Sequence, residues 1–449
     1  MINRLISRHK FISCLLAVVV AMWVVYFAFG HRIVSAIYEG TAPQFLSQTI
    51  ERPAQHSLDY YEHKAGRNFL KWNVLFFLIF LFSFAPFLKG KRVRFLFVFI
   101  TYLLVAFFVL NIFFWKWGFK IDNARNSLEQ VLTLTAHRPF VYRLLMPLGI
   151  NAVTGIFPQD YVNRQGNFLK KSSFLSRYDH LKDLSGKRIF QTHVIYVVLF
   201  LLLFLLQWAV RRVTRLVYPD IPVVFSDIAP AIAVFLLPLT FFRGGYLYDF
   251  PELFLMAVLM ICLLKKRWMA YYAVFVLAVL NKESNVLLVL FFLAFQLGKM
   301  PKKSLWGHCL RHVLIGGFLL AGSRLLFMSH PGSSVENHLV ENIVFWTSLK
   351  SYFTFGDPYN LGFSFFPRGG NILTLIVPGF LVFYGWSRKP IEIKRLFLYM
   401  AAALFPLTLF FGFKDEIRNL ALIFPAIYLL AIYTIFQWYQ TAYGKGQRA

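Results

Sequence analysis

The feature that most constrains this 449-residue chain is a series of apolar runs, most of them long enough to cross a lipid bilayer as a helix. A hydrocarbon core about 30 Å thick requires roughly 20 apolar residues per helix, and the backbone polar groups must be satisfied inside the segment. The sequence therefore predicts an all-α polytopic membrane protein with a single transmembrane domain over residues 1–449. About twelve spans are expected, at 11–30, 69–88, 95–115, 190–210, 223–242, 247–264, 268–281, 285–298, 313–328, 371–387, 396–413 and 419–438.

The composition excludes two other classes of protein. Only 15% of the residues are charged, whereas a soluble domain usually carries about 25%. A disordered chain would not contain 53 Phe and 22 Tyr, because so much aromatic surface cannot remain in water. The net charge of +27 could suggest nucleic acid, but the Lys and Arg residues lie in short clusters between the apolar runs. We therefore expect membrane lipids and no nucleic acid among its partners.

The basic clusters predict the orientation of the chain. They occupy alternate loops, and cytoplasmic loops carry an excess of Lys and Arg, so both termini are expected in the cytoplasm of a multi-pass protein of the cell (cytoplasmic or inner) membrane. The clusters are Arg4/Arg8/Lys10, Lys89/Lys91/Arg92/Arg94, Arg211/Arg212/Arg215, Lys265/Lys266/Arg267, Lys299/Lys302/Lys303/Arg311, Arg388/Lys389/Lys394/Arg395 and Lys445/Arg448.

The longest predicted loops lie on the outer face. They cover 31–68, 116–189 and 329–370, and the second contains an apolar segment, 131–157, that is too interrupted to span. We expect this segment to form an interfacial helix. Function is often carried by loops that a rigid scaffold holds in place, so the working face is predicted outside.

Charged groups at membrane depth are costly and tend to have a partner or a function. Lys282 and Glu283 stand between two short apolar runs, and the alternative to a functional role is a tight turn with a local ion pair. Asp249 and Glu252 follow an Arg-Gly-Gly turn that contains Arg243. Their alternative role is to stabilise the start of the next helix.

Asp59 stands beside Tyr60 and Tyr61 in the first outer loop. A carboxylate desolvated by aromatic rings could act as a general base, and the alternative is a helix N-cap. In the second loop, Arg138 and Arg143 bracket Pro-Phe-Val-Tyr. Because Arg pairs bidentately with phosphate, the two could hold a lipid phosphate, or they could extend from the lipid boundary toward water.

Three further outer residues are candidates: Glu39, His137 and Arg368. The chain contains no Walker-type loop, no G-x-G-x-x-G after a strand and no G-x-S-x-G. The sequence thus offers no known device for binding ATP or NAD.

A multi-pass chain with an acidic, aromatic first outer loop directly after its first span resembles the membrane-embedded glycosyltransferases of the GT-C type. The resemblance implies a catalytic carboxylate at Asp59, in Leu58-Asp59-Tyr60-Tyr61, with Glu39 as second choice. It implies a sugar donor carried on a polyprenyl phosphate. The chemistry of the residues themselves offers Arg138, Arg143 and Lys282, with Arg243 or Arg368 as further candidates, to bind the donor phosphate. The family's paired acidic dipeptide is missing from the first loop, since the one such pair is Asp415-Glu416. A divalent metal is therefore left open as a cofactor.

The expected activity is transfer of a hexose or pentose from a polyprenyl phosphate to a glycan, lipid or protein acceptor on the outer face. Two alternatives stay open. One is a flippase or transporter of a lipid-linked or anionic substrate, and the other is a polymerase or ligase that joins lipid-linked glycans. Convergence of Arg143, Asp249, Lys282 and Glu283 with Asp59 in one outward-facing cavity would favour the enzyme.

Overall fold

The computed structural model describes residues 90–116, 119, 125–172, 184–240, 246–333, 336–353, 370–414 and 416–443. These residues are all-helical, and no strand occurs among them. The α-helices, numbered in chain order, are α1 (Lys91–Lys116), α2 (Leu128–Leu132), α3 (Leu145–Gly155), α4 (Gln159–Ser172), α5 (Gly186–Val217), α6 (Val223–Phe235), α7 (Asp249–Leu264), α8 (Trp268–Asn281), α9 (Val289–Gln296), α10 (Lys302–Leu326), α11 (Leu339–Thr347), α12 (Leu349–Tyr352), α13 (Ile372–Phe383), α14 (Ile391–Phe411) and α15 (Phe424–Tyr443). Short 3₁₀ segments cover Phe140–Tyr142, Leu237–Thr240, Glu283–Leu288, Trp386–Arg388 and Ile417–Ile423.

Within the described ranges, five helices are long and apolar enough to cross a membrane. They are Lys91–Phe114, Gly186–Val217, Lys302–Leu326, Ile391–Phe411 and Ile417–Thr441, of which the last joins a 3₁₀ segment to α15. Helix α10 has a largely exposed apolar surface, which includes Trp306, Val313 and Phe318. Large exposed apolar patches are unusual in water-soluble monomers. The chain is therefore a multi-pass helical membrane protein.

Several predicted spans are shorter helices in the structure. Within the predicted run 223–242, residues 223–235 form α6 and residues 237–240 form a 3₁₀ segment, because Pro238 has no N–H with which to continue the helix. The run 285–298 begins as the 3₁₀ segment Glu283–Leu288 and becomes α9. In contrast, the helix predicted at 313–328 begins at Lys302. The predicted spans at 11–30 and 69–88 lie outside the described residues, and the count of about twelve stays a prediction.

The chain groups into two compact units. The first consists of residues 1–101 and 350–374, and the second of residues 102–349 and 375–449. In the described part of the first unit, Asn371 Oδ1 accepts a hydrogen bond from the backbone N–H of Leu373 at 3.0 Å. This contact satisfies one of the N–H groups that a helix start leaves free, and it fixes the beginning of α13.

The core of the second unit is built around α7, which packs against both α5 and α8. Its centre is filled by fully buried aromatic side chains such as Phe250, Tyr271 and Phe275. Helix α9 packs against α14, and α10 packs against α8 and α9. Helix α5 is the longest in the described part of this unit, at 32 residues.

We call the end that contains Arg211, Asp227 and Lys389 the basic end. Asp227 accepts hydrogen bonds from Arg211 at 2.6 Å and from Arg215 at 2.9 Å. Lys389 Nζ lies within 3.0 Å of three backbone carbonyl oxygens and donates to Thr434 Oγ1 at 2.8 Å. Lys389 thereby satisfies two carbonyls in the last turn of α13, those of Leu381 and Val382, which have no intrahelical partners.

We call the opposite end, where α7 begins and α8 ends, the loop-rich end. Here the predicted apolar segment 131–157 is divided into the end of α2, a 3₁₀ segment and α3. Helix α4 then packs along the first turns of α5. The approach is close, since a Cβ atom added at Gly166 would overlap with the carbonyl oxygen of Gly186.

Candidate functional site

A single extended residue organises the charged groups at the loop-rich end. Helix α8 ends at Asn281, and Lys282 has φ −159° and ψ 132° before the 3₁₀ segment starts at Glu283. Adjacent side chains along extended backbone point in opposite directions. Lys282 and Glu283 therefore reach different partners, and the local ion pair weighed from the sequence is not what the structure contains.

Glu283 pairs with Arg143 in a bidentate ion pair. Arg143 Nε lies 3.1 Å from Glu283 Oε2, and Arg143 Nη2 lies 3.1 Å from Glu283 Oε1. Arg143 Nη1 also donates to the hydroxyl of Tyr248. Burial by itself would lower the pKa of the Arg143 guanidinium, but the Glu283 carboxylate outweighs this effect and raises that pKa above its ordinary value. Arg143 thus carries a permanent positive charge.

Lys282 reaches the first turn of α7 instead. Its Nζ lies 2.8 Å from Glu252 Oε2, and both side chains are nearly inaccessible to solvent. The other carboxylate oxygen, Glu252 Oε1, is buried with no hydrogen-bond partner in the described chain. Asn281 Nδ2 donates to the Tyr248 carbonyl at 2.9 Å, which ties the end of α8 to the start of α7.

A third buried ion pair joins the last membrane helix to α7. Arg418 Nη1 lies 3.2 Å from Asp249 Oδ2, and Arg418 Nη2 lies 3.2 Å from Glu416 Oε1. Asp249 Oδ2 also accepts the backbone N–H of Tyr246 at 2.8 Å. Asp249 and Glu252 lie in the first turn of α7, where negative charge is favourable. Both therefore occupy the helix-start position expected from the sequence, and each also binds a cation.

Two stacked tyrosine rings connect these ion pairs. The rings of Tyr246 and Tyr248 are nearly parallel, at an interplanar angle of 7°, with centroids 5.2 Å apart. Arg418 Cζ lies 4.2 Å from the Tyr246 centroid, and Arg143 Cζ lies 4.1 Å from the Tyr248 centroid. A cation is attracted to the face of an aromatic ring. We call this set the buried charge cluster; its members are Arg143, Tyr246, Tyr248, Asp249, Glu252, Lys282, Glu283 and Arg418.

A cleft opens beside the Arg143 side of the cluster. Its walls are mostly apolar and aromatic, with Phe140, Tyr246 and Tyr248 among them. Arg143 and Asn126 also line it. The cleft is narrow, with a volume of about 30 Å³, which is enough for about one water molecule.

The structure brings four of the predicted residues together: Arg143, Asp249, Lys282 and Glu283 all belong to the cluster. His137 and Arg138 lie on the same loop as Arg143, and the backbone N–H of Arg138 donates to the Pro331 carbonyl at 2.9 Å. No hydrogen bond or ion pair in the described part joins Arg138 to the cluster. Four candidates lie outside the described residues: Glu39, Asp59, Arg243 and Arg368.

Sequence reasoning missed Arg418, Tyr246 and Tyr248 as members of the site. The signal for Arg418 was its place beside the acidic pair Asp415-Glu416 at the start of a span. The signal for the tyrosines was their alternation in Tyr246-Leu247-Tyr248. Neither signal identifies a partner, because Arg418 and Asp249 are 169 residues apart.

A pair of histidines spaced four apart was also missed, on α10. His312 Nε2 lies 2.8 Å from the Tyr271 hydroxyl, and His308 Nδ1 lies 2.6 Å from the Tyr272 hydroxyl.

The described residues contain no group of three or more His, Cys, Asp or Glu side chains that could hold a metal ion. The cluster carboxylates do not fit a divalent ion either, because Asp249, Glu252 and Glu283 each already pair with a cation.

Comparison of the chain with protein-family models, with curated proteins and with solved structures finds no match. The class of the protein therefore rests on its own fold and site: a multi-pass helical membrane protein with a buried charge cluster and an adjacent cleft at one end of its helices.

Proposed function

We propose that this protein is a membrane glycosyltransferase of the GT-C type, which moves a sugar from a polyprenyl-phosphate donor to a glycan, lipid or protein acceptor. The observation that carries the proposal is the convergence of Arg143, Lys282 and Arg418 with three carboxylates beside an aromatic cleft. Buried charges are costly, so a cluster of six charged residues where membrane helices end calls for a functional reason.

The donor phosphate fits the Arg143 side of the cluster. A phosphate can take the bidentate position on the guanidinium that Glu283 occupies, because both anions match the planar donor pair. Arg143 lines the cleft directly. Lys282 brings a second positive charge close to the same tyrosine, because its Nζ lies 5.6 Å from the centre of the Tyr248 ring.

The proposed reaction needs a base and compensation of phosphate charge. Asp59 takes the proton from the acceptor hydroxyl, and the acceptor oxygen forms a bond to the anomeric carbon. The bond from that carbon to the phosphate oxygen breaks, and its electron pair leaves on the polyprenyl phosphate. Arg143 and Lys282 stabilise the charge that develops there. The base on the first outer loop is the part of the proposal that depends on the sequence alone.

The test is release of polyprenyl phosphate by the purified full chain, supplied with a panel of polyprenyl-phosphate sugars and membrane acceptors. We expect Asp59→Asn to lower the rate by about 10²–10⁴, the usual contribution of a general base. We expect Arg143→Lys, which keeps the charge but loses the bidentate geometry, to lower it less than Arg143→Ala does.

Asp160→Asn and Arg125→Ala are matched controls, since both side chains are exposed and lie outside the cluster. Full activity of both Asp59→Asn and Arg143→Ala at normal expression would show that the site assignment is wrong. Movement of the lipid-linked sugar across proteoliposomes without transfer would identify a flippase instead.

A further inference from the structure

A larger, open pocket lies at the basic end, against the first turns of α10. Its volume is about 410 Å³, within the range of about 300–1,000 Å³ that is usual for small-molecule sites. The ring of Trp268, which begins α8, lies 4.8 Å from that of His308, whereas α8 ends at the buried charge cluster. The start of α10 is therefore at the opposite end from that cluster. The residues that line the pocket are Pro301, Lys303, Ser304, Gly307, His308 and Arg311.

Helical spacing places the polar lining groups on one face of α10. Ser304, His308 and Arg311 follow one another at intervals of four and three residues, and residues at these intervals are neighbours on a helix surface. Gly307 lies among them, and a Cβ atom added there would meet no atom within 4 Å. The pocket is thus open at the position where a side chain would otherwise stand.

The pocket has a positive charge that its own walls do not balance. Lys303 and Arg311 are exposed cations, and among the described residues that line the pocket none is acidic. Glu392, an acidic residue of the same end, pairs with Lys299 at 2.7 Å instead. The N-cap residue Pro301 makes no side-chain hydrogen bond to the first turn of α10, and a helix start with free N–H groups favours an anion. The fitting ligand group is therefore a phosphate.

His308 forms a fixed wall of the pocket. Its side chain is buried, and its ring lies nearly parallel to that of Tyr272 on α8, at an interplanar angle of 5°. The 2.6 Å contact between His308 Nδ1 and the Tyr272 hydroxyl holds it there. A wall that is ordered before the ligand arrives lowers the entropic cost of binding.

The surface of α10 beyond the pocket indicates the source of the phosphate. Leu310, Val313 and Leu314 follow along the helix and are all largely exposed. Trp306, beside the pocket, is also largely exposed, and Trp is enriched where a membrane meets water. A phospholipid can place its acyl chains on this apolar surface, which a free phosphate would leave uncovered. Basic pockets on the cytoplasmic side of membrane proteins suit anionic headgroups.

We propose that this pocket binds the phosphate of an anionic phospholipid, with Lys303 and Arg311 as the cations that contact it. The acyl chains then lie along the exposed apolar side of α10. A bound lipid anchors the start of a helix whose surface is mostly outside the protein core. The site is independent of the proposed function, since it lies at the other end from Arg143 and its partners.

The first test follows the Tm of the purified full chain in detergent as one of three probes is added. Dioleoyl phosphatidylglycerol supplies an anionic phosphate with acyl chains, dioleoyl phosphatidylcholine supplies the same chains with a zwitterionic headgroup, and glycerol phosphate supplies the anion alone. We expect phosphatidylglycerol to raise the Tm until the site is saturated, and the other two to have little effect at the same concentration. An equal response to phosphatidylcholine would mean that no anion site exists. An equal response to glycerol phosphate would identify a site for free phosphates. Either result overturns the proposal.

The second test removes the cations one at a time. Lys303→Gln and Arg311→Gln should each weaken binding of phosphatidylglycerol about tenfold, because each loses a charged contact to the phosphate. The matched control is Lys302→Gln, since Lys302 is exposed on the same turn but does not line the pocket. Its binding should stay close to that of the wild type. If Lys302→Gln weakens binding as much as the other two changes do, the lipid responds only to the general positive charge of this end, and the proposal is wrong.

The third test fills the pocket without removing a charge. Gly307→Leu places a side chain in the open space, and its lipid-free Tm should stay at or above that of the wild type, because leucine favours a helix more than glycine does. We expect this variant to lose the response to phosphatidylglycerol. Gly322→Leu is the control, since its Cβ position near the far end of α10 is equally free of contacts, and it should keep the response. A full response in Gly307→Leu would show that the lipid does not occupy this pocket.

Discussion

The two ends of the second unit both contain buried carboxylates, but they neutralise them differently. At the basic end, Asp227 is buried while the side chains of Arg211 and Arg215 are 22% and 34% exposed. At the loop-rich end, Arg418 and Asp249 are only 5% and 7% exposed. A guanidinium that reaches water keeps much of its hydration, whereas a buried pair loses it on both sides. The loop-rich end is therefore the more costly arrangement.

The two ends also differ in the sequence separation of their ion pairs. Asp227 is 16 and 12 residues from its two arginines, across the turn between α5 and α6. Arg143 and Glu283 are 140 residues apart. The local pairs stabilise one connection, but the distant pairs require several helices to meet. The basic end also has a distant pair, Lys299 with Glu392 at 2.7 Å, but the Lys299 side chain is 52% exposed. Burial of the cation, and not sequence separation alone, therefore distinguishes the two ends.

The largest expected effect is from Arg418→Met. The change leaves Asp249 buried without its cation, so we expect the free energy of unfolding to fall by about 3–5 kcal/mol. The measurement is unfolding of the full chain in mixed detergent. The control is Arg211→Met at the basic end, where Arg215 still pairs with Asp227, and here a loss of only about 0–1 kcal/mol is expected. Equal losses in the two variants would remove the distinction between the ends.

A smaller loss is expected from Gly166→Ala, which tests whether the loop-rich end also depends on close backbone packing. The new methyl group would overlap with the Gly186 carbonyl oxygen, so α4 and α5 must separate at a cost of about 1–3 kcal/mol. Gly149→Ala in α3 is the control, since no atom lies within 4 Å of its Cβ position. That variant should gain about 0.5–1 kcal/mol. A neutral Gly166→Ala would show that this contact is not tight.

The coupling energy between Arg143 and Glu283 tests whether burial strengthens an ion pair. A double-mutant cycle with alanine at both positions should give a coupling energy of about 0.5–3 kcal/mol. The same cycle on Arg125 and Glu336, whose side chains are 63% and 36% exposed, should give about 0.2–1 kcal/mol. The Arg143 and Glu283 side chains are 12% and 28% exposed. If the more exposed pair couples as strongly as this one, burial does not determine the strength of these interactions.

The smallest expected effect is a pH dependence at the basic end. Burial lowers the pKa of Lys389 to about 8, from an ordinary value of 10.5, because the charged ammonium group loses its water. Between about pH 8 and pH 10.5 the unfolded state binds this proton and the folded state does not. Stability should therefore rise with pH across that window. The four neutral acceptors around Nζ reduce the size of the effect.

The matched variant Lys389→Met isolates this contribution. The difference in unfolding free energy between wild type and variant should change between pH 8 and pH 10.5, and it should be constant below pH 8. Arg143 at the loop-rich end adds no such slope, because its pKa is raised above an already high value. A constant difference across the whole range would contradict the prediction.

Part of the site was accessible from the sequence. Lys282, Glu283 and Asp249 were candidates because they are charged residues beside apolar runs, and Arg143 because it sits at an apolar boundary. Their partners were not accessible. One of the two alternatives weighed from the sequence was a local ion pair between Lys282 and Glu283, but the extended conformation of Lys282 turns the two side chains apart.

The sequence by itself determined the class of this protein. Apolar runs of about 20 residues have one stable solution in lipid, a helix that satisfies its own backbone, and this requirement is local. Tertiary structure alone decided which cation meets which carboxylate, because residues as far apart as Asp249 and Arg418 come together only when several helices pack. The cleft beside Arg143 exists for the same reason: its walls come from segments whose contact no local pattern encodes.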